Sequence, residues 1–279
     1  MIDMLLEPWQ FGFMQQALMM VVLIALVAGV LSPFLVLKGW SLMGDAVSHA
    51  VLPGVVLAYV AGIPLSIGAF LAGLFCALAS GFVSDNSRLK SDTVLGVVFS
   101  GMFGLGVVLF SQIETDVHLN HILLGDILGV DSSDIVEAAI AAVFVLVLFV
   151  AYWRDLMVFS FDAEHARVVG LPVTWLHYGL LVVLSLTVVL ALQAVGLILG
   201  LSLLIAPGAI AHQLCDRFSH MMATSVAVAL SASVGGVWAS FYLDSSPGPT
   251  IVVLLTIIFL IAFLLAPKYG LLWRKGYQA

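Results

Sequence analysis

Charge is what this chain has least of: 9 Lys and Arg and 16 Asp and Glu in 279 residues, or 9% in all, against 63% hydrophobic residues. An ordinary water-facing surface cannot be built from so little, since soluble domains carry about 25% charged residues. Mean hydropathy is +1.21, which defines an integral membrane protein. With so few basic residues, no nucleic-acid partner is expected. Cysteine is nearly absent too. Cys76 and Cys215 lie inside or at the end of apolar runs and read as unpaired packing residues, which excludes a disulfide scaffold. Two motifs are missing. Without a Gly-x-x-x-x-Gly-Lys-Ser/Thr phosphate loop, or the soluble bulk to carry one, any ATP hydrolysis belongs to another polypeptide, so the chain is expected not to be an enzyme. Without His-Glu-x-x-His, an intramembrane metalloenzyme has little to stand on. No low-complexity segment or internal repeat is visible, so residues 1–279 are read as one domain.

What is present is a series of apolar runs of spanning length, at about 13–37, 42–61, 65–84, 93–113, 135–153, 176–193, 195–213, 221–243 and 249–267. The first lacks a basic leader and a small-residue cleavage site, so it reads as a retained span. The pattern predicts an all-α polytopic bundle of about nine transmembrane helices. Eight spans plus a re-entrant segment stays open, because 176–193 and 195–213 are separated by almost nothing. With nine spans, Lys38, Arg88, Lys90, Arg154, Arg167, Arg217, Lys268, Arg274 and Lys275 all fall on one face. The positive-inside rule makes that face cytoplasmic, with the amino terminus outside and the carboxyl terminus inside. The outer face then holds Asp3, Glu7, Glu114, Asp116, Asp126, Asp131, Asp134, Glu137 and Asp244 and no basic residue. Such a face attracts cations and docks a partner through that partner's Lys or Arg; the plainer reading is that acids are merely tolerated there. Small residues (Ala69 with Gly73, Gly196 with Gly200, and Gly101, Gly104 and Gly106) are expected to bring helices close together.

The second run carries an anomaly: Asp45 and His49 within apolar sequence. An ionisable residue at membrane depth costs several kcal/mol on its own and marks a functional site by default. Residues four apart share a helix face, so the pair can present a carboxylate oxygen and an imidazole nitrogen to one ion. That mixed donor set suits Zn²⁺, Mn²⁺ or Fe²⁺. Counted along a regular helix from Lys38, Asp45 lies about 10 Å and His49 about 16 Å inward. Pro53 removes a backbone donor just beyond and predicts a kink. The competing reading is a hydrogen-bonded tie between helices. In either case two side chains are half a coordination shell, and water, other helices or a second subunit must supply the rest.

Other histidines are weaker candidates. His118 and His121, beside Asp116 in the outer segment 114–137, could bind a metal in transit or simply be solvated. His177, His212 and His220 read as interfacial or capping residues. The longest cytoplasmic connection, about 154–175, holds Asp162 as the cap of a short helix with Glu164 in its first turn, ended by Gly170 and Pro172. An ordered element of this kind is a docking knob for a soluble subunit.

The run Gly44-Asp45-x-x-Ser48-His49-Ala50-x-Leu52-Pro53-Gly54 resembles the signature of the membrane permeases of ATP-binding-cassette (ABC) importers for divalent metals. The Asp162-Ala163-Glu164-x-Ala166 run ending at Gly170 is similar to the coupling helix that rests on the ATPase in that family, and the likeness extends over roughly residues 12 to 270. The resemblance implies Asp45 and His49 as transient metal ligands in the pathway and Glu164, Ala166 and Gly170 as the coupling segment. It further implies no permanently bound cofactor, the metal being cargo. The implied partners are a cytoplasmic ATPase, an extracytoplasmic metal-binding protein, a second permease chain, identical or related, and membrane lipid. The implied location is the bacterial cytoplasmic membrane. Gly208 and His212 depart from the usual family residues, and His212 is an added candidate ligand near the exit. The His118/His121 pattern looks more like the manganese and chelated-iron branch than the zinc branch. The alternative from another class is a proton-coupled secondary metal carrier that needs no ATPase.

Overall fold

The computed structural model describes residues 7–113 and 127–266, and His118, His121 and the basic carboxyl-terminal residues lie outside them. Among the described residues the structure is helical throughout, with no strand. Its helices are α1 (Gly12–Lys38), α2 (Ser41–Ala50), α3 (Leu52–Ala61), α4 (Leu65–Asn86), α5 (Ser91–Ser111), α6 (Ser132–Phe161), α7 (Ala163–Val168), α8 (Val173–Val195), α9 (Leu197–Leu214), α10 (Phe218–Leu243) and α11 (Pro247–Leu265). With α2 and α3 taken as one broken span, Ser41–Ala61, 9 of these units are long and apolar enough to cross a membrane. The doubtful boundary between the seventh and sixth spans resolves into two helices joined at Gly196 alone. Its φ of 80° and ψ of 173° turn the chain in a conformation that a side chain would oppose.

α1 forms the axis of the bundle, packed against α6, α8, α9 and α10. Lipid tails are as apolar as the side chains, so association rests on fit and on satisfied polar groups, not on burial from water. Phe34 of α1 supplies fit, its ring centroid lying 5.2 Å from that of Phe149 and 5.0 Å from that of Phe218. Polar groups are met at the two internal prolines. Pro33 has no N–H to offer the Gly29 carbonyl one turn back, and Ser225 Oγ of α10 donates to that carbonyl at 2.7 Å instead. At the second internal proline, Pro207 of α9, Ser32 Oγ accepts from the Gly208 N–H at 2.8 Å and donates to the Ile205 carbonyl at 3.3 Å.

The expected close contacts are met only in part. Gly73 lies against Val47 and Ser185, and Gly106 against Leu52 and Pro53, but Gly101 and Gly104 have no neighbour within 4 Å of an added Cβ. Glycine spacing permits close approach without dictating which face meets a helix. The tightest crossing is one the spacing did not flag: a Cβ on Gly54 would stand 2.1 Å from the Gly68 carbonyl oxygen. α3 and α4 therefore touch backbone to backbone.

The two ends of the bundle differ in charge. Leu37, Phe161, His212, Gln213, Arg217 and Met221 are among the residues bordering one cavity of about 350 Å³, which places the ends of α1, α6 and α9 together. The described basic residues Lys38, Arg88, Lys90, Arg167 and Arg217 belong to helix ends or loops on this side, and Arg154 lies about two turns inside the end of α6. The opposite side holds Asp131, Asp134 and Glu137, the last two bordering a cavity of about 290 Å³ with Ser66 and Gln193.

Candidate functional site

α2 is a short helix hung between two breaks. Gly39 reverses the chain before it, and at its other end helical hydrogen bonding lapses at Val51, two residues before Pro53. Val51 keeps α-helical dihedrals (φ −65°, ψ −29°), so the chain does not turn back there. The span is thus interrupted just beyond the pair, where the sequence predicts a kink. Because α2 begins at Ser41 and not at Lys38, Asp45 and His49 sit about 6 Å and about 12 Å along its axis, shallower than a count from Lys38 gives.

One side of α2 is fixed by packing. Gly44 meets Leu201 and Leu204 of α9, Val47 meets Gly73 of α4, and Met43, Ala46, Val47 and Ala50 are buried. The other side carries Leu42, Asp45 and His49 and is open. His49 Nε2 lies 3.5 Å from Asp45 Oδ1, with the two side chains 32% and 36% exposed. At that distance the pair makes no strong hydrogen bond. Both groups sit on one helix, and among the described residues neither side chain bonds another helix. A tie between helices therefore does not account for them. Phe99 and Phe103 of α5 wall the imidazole, their ring centroids 6.1 Å and 5.5 Å away. Sequence reasoning missed this wall, although two aromatics four apart in an apolar run would have signalled a face. The geometry leaves a carboxylate oxygen and an imidazole nitrogen side by side, backed by rings and facing outward.

The remaining candidates are not gathered at this pair. His212 is exposed at the basic end and shares its cavity with Gln213, Cys215, Asp216 and Arg217, none from α2. Among the described residues no three His, Cys, Asp or Glu side chains converge as a metal site.

At the basic end, Asp162 caps α7 as the sequence predicts, accepting from the N–H of Glu164 at 2.9 Å and of His165 at 3.0 Å. The His165 N–H, then that of Glu164, holds the Asp162 carboxyl below the usual carboxylate range. Ala166 is fully buried, and Glu164 pairs with Arg167 at 3.0 Å. Gly170 ends the element at φ 87°. Next to it Val168 and Val169 are 85% and 61% exposed, an apolar tip on a polar loop.

Nine candidate spans among the described residues, an ionisable pair within one of them and an ordered helical knob at the basic end describe a polytopic membrane protein. Residues 10–266 match the ABC 3 transport family, and the chain belongs to it. It is 50% identical over 258 residues to the chelated iron transport system membrane protein YfeD of Yersinia pestis, covering 92% of this chain and 87% of that one. To the manganese transport system membrane protein MntB of Synechocystis sp. it is 47% identical, over 97% of this chain and 90% of the relative. Among solved structures it is similar to PsaBC from Streptococcus pneumoniae in complex with Fab, with a TM-score of 0.87 and 37% identity over 99% of this chain and 100% of that chain.

Proposed function

We propose that this chain is the permease subunit of an ATP-driven importer that carries manganese or iron, with zinc as a further candidate, across the bacterial cytoplasmic membrane. The observation that carries the reading is the Asp45–His49 pair: two metal-competent groups 3.5 Å apart, unpaired with any other helix, in a chain related to iron and manganese systems. No helix tie explains their cost in the membrane, and a transient ion does. The metal is cargo and no resident cofactor is needed.

The pair is half a shell by design, because an ion bound through a complete, rigid set would not leave. Its open face supports a second permease chain as the source of further ligands. A twofold mate would bring another carboxylate and imidazole to the same axis, giving four donors. The basic end is cytoplasmic by the positive-inside rule, which puts the amino terminus outside and the carboxyl terminus inside. The acidic end then faces the extracytoplasmic metal-binding protein. α7 and its exposed valines support docking of the ATPase through Glu164, Ala166 and Gly170. Nucleotide-driven movement of that loop would alternate access to the pair. Nothing observed favours the proton-coupled carrier.

The test is uptake of radioactive manganese into vesicles holding this chain, its ATPase and its binding protein. Uptake should require ATP, and unlabelled Mn²⁺ or Fe²⁺ should compete more strongly than Zn²⁺. Uptake driven by a proton gradient with the ATPase absent would replace this reading with the carrier.

A further inference from the structure

The Asp45–His49 helix is joined to α1 by only Gly39 and Trp40, and that joint is held from three sides. Gly39, at φ 69°, donates its N–H to the Val36 carbonyl at 3.1 Å, and the Trp40 N–H bonds Leu35 at 2.9 Å. The Trp40 carbonyl then accepts from Met43 at 3.0 Å, so α2 starts on Trp40 itself. There is no slack in this connection. A displacement of Lys38 or Trp40 is carried to Asp45, seven and five residues onward, about two helical turns or less.

Both residues reach the other elements at this end. Lys38 Nζ lies 3.4 Å from the ring centroid of Phe159, which is buried at the end of α6, and it is in electrostatic reach of Asp162, the cap of α7. Trp40 packs edge-on against His177 of α8 at 5.3 Å, and His177 also meets Phe159 at 6.2 Å. His177 Nε2 has no hydrogen-bond partner and stands 3.2 Å from where a Gly81 Cβ would be, so α4 presses on the same ring. Asp85 of α4 and Lys38 are the charged groups in electrostatic reach of it.

We propose that Lys38 and Trp40 are positioning residues that transmit movement of the α7 loop to the metal-holding helix: Phe159, at the end of α6 that leads into α7, grips Lys38, and Trp40, braced on His177, turns that grip into a shift of α2. This rests on the function proposed above, but its test does not depend on the cargo. A cation held by a ring face is a directional contact that adds little to folding. It can therefore be removed while the complex still assembles.

In the full complex with its ATPase, with Cys76 and Cys215 replaced by Ala, Leu42→Cys reports on the open face of α2 through its rate of thiol labelling. Nucleotide should change that rate about fivefold with Lys38 in place, leave it nearly constant in Lys38→Met, and regain the response in Lys38→Arg, which keeps the cation over the ring. Trp40→Leu should blunt the response in the same way. An unchanged nucleotide response in Lys38→Met overturns the proposal, as does the absence of any response with Lys38 present. Loss of response in Lys38→Arg as well would mark Lys38 as merely structural and overturn it too. Metal uptake by the unmodified complex tests the importer reading separately.

Discussion

Three prolines in one membrane bundle are treated in two opposite ways. At Pro33 the carbonyl freed on Gly29 is met at once by Ser225 from another helix, and at Pro207 the neighbouring groups are met by Ser32. Beside Pro53, by contrast, the chain keeps its costliest side chains, Asp45 and His49, unpaired with any other helix and half open. At its two prolines the α1–α9–α10 core spends serine hydroxyls on cohesion, Ser225 on the Gly29 carbonyl and Ser32 on the Gly208 N–H and the Ile205 carbonyl. The α2–α5 region withholds its ionisable pair. A serine cap costs little in lipid and tolerates no alternative partner, whereas an unsatisfied carboxylate and imidazole keep their coordination free for something that arrives.

That contrast can be pushed until it breaks. The largest effect on stability should come where the site region is rigid: Gly54→Val would force a side chain into the Gly68 backbone, and we expect loss of folded protein, scored as monodisperse yield after extraction. Gly101→Ala, in open space, should stay within about 0.5 kcal/mol. In the core, Ser225→Ala leaves the Gly29 carbonyl unmet and should cost about 1–3 kcal/mol, read as a lower melting temperature with uptake retained. Equal loss of uptake and stability there would erase the distinction between the regions. Gly170→Ala should cost about 1 kcal/mol through its φ of 87°, and it should lower transport per ATP more than it lowers melting temperature.

The smallest effect concerns pH at the α7 cap. Hydrogen bonds in the folded state depress the Asp162 pKa, so its contribution is fully present above the unfolded value of about 3.9 and is lost as pH falls through the folded value. Amide exchange at Glu164 and His165, normalised to intrinsic rates, should therefore be protected at neutral pH and accelerate below about pH 4. Asp162→Asn, still a good cap, should flatten that dependence.

Much of this was legible in the sequence, for identifiable reasons. Spans follow from composition and length, the α7 cap from Asp162 and Gly170 at the right offsets, and the candidate pair from its cost in an apolar run. Pro53 announced the break. What the sequence could not supply was the neighbour: which glycine faces a helix (Gly54 and Gly106, not Gly101 and Gly104) and which rings wall His49 depend on rotation about helix axes that no single span encodes. Depth was misjudged because Gly39 and Trp40 lie outside the helix that carries the pair.

The central claim is that Asp45 and His49 are kept for an ion and not for the fold. Vesicles holding the complete complex with Asp45→Ala or His49→Ala should take up radioactive manganese at least about tenfold more slowly than those with the unmodified chain, while melting temperature is unchanged or higher. Normal uptake in either variant, or a fall in uptake matched by a fall in stability, would contradict it.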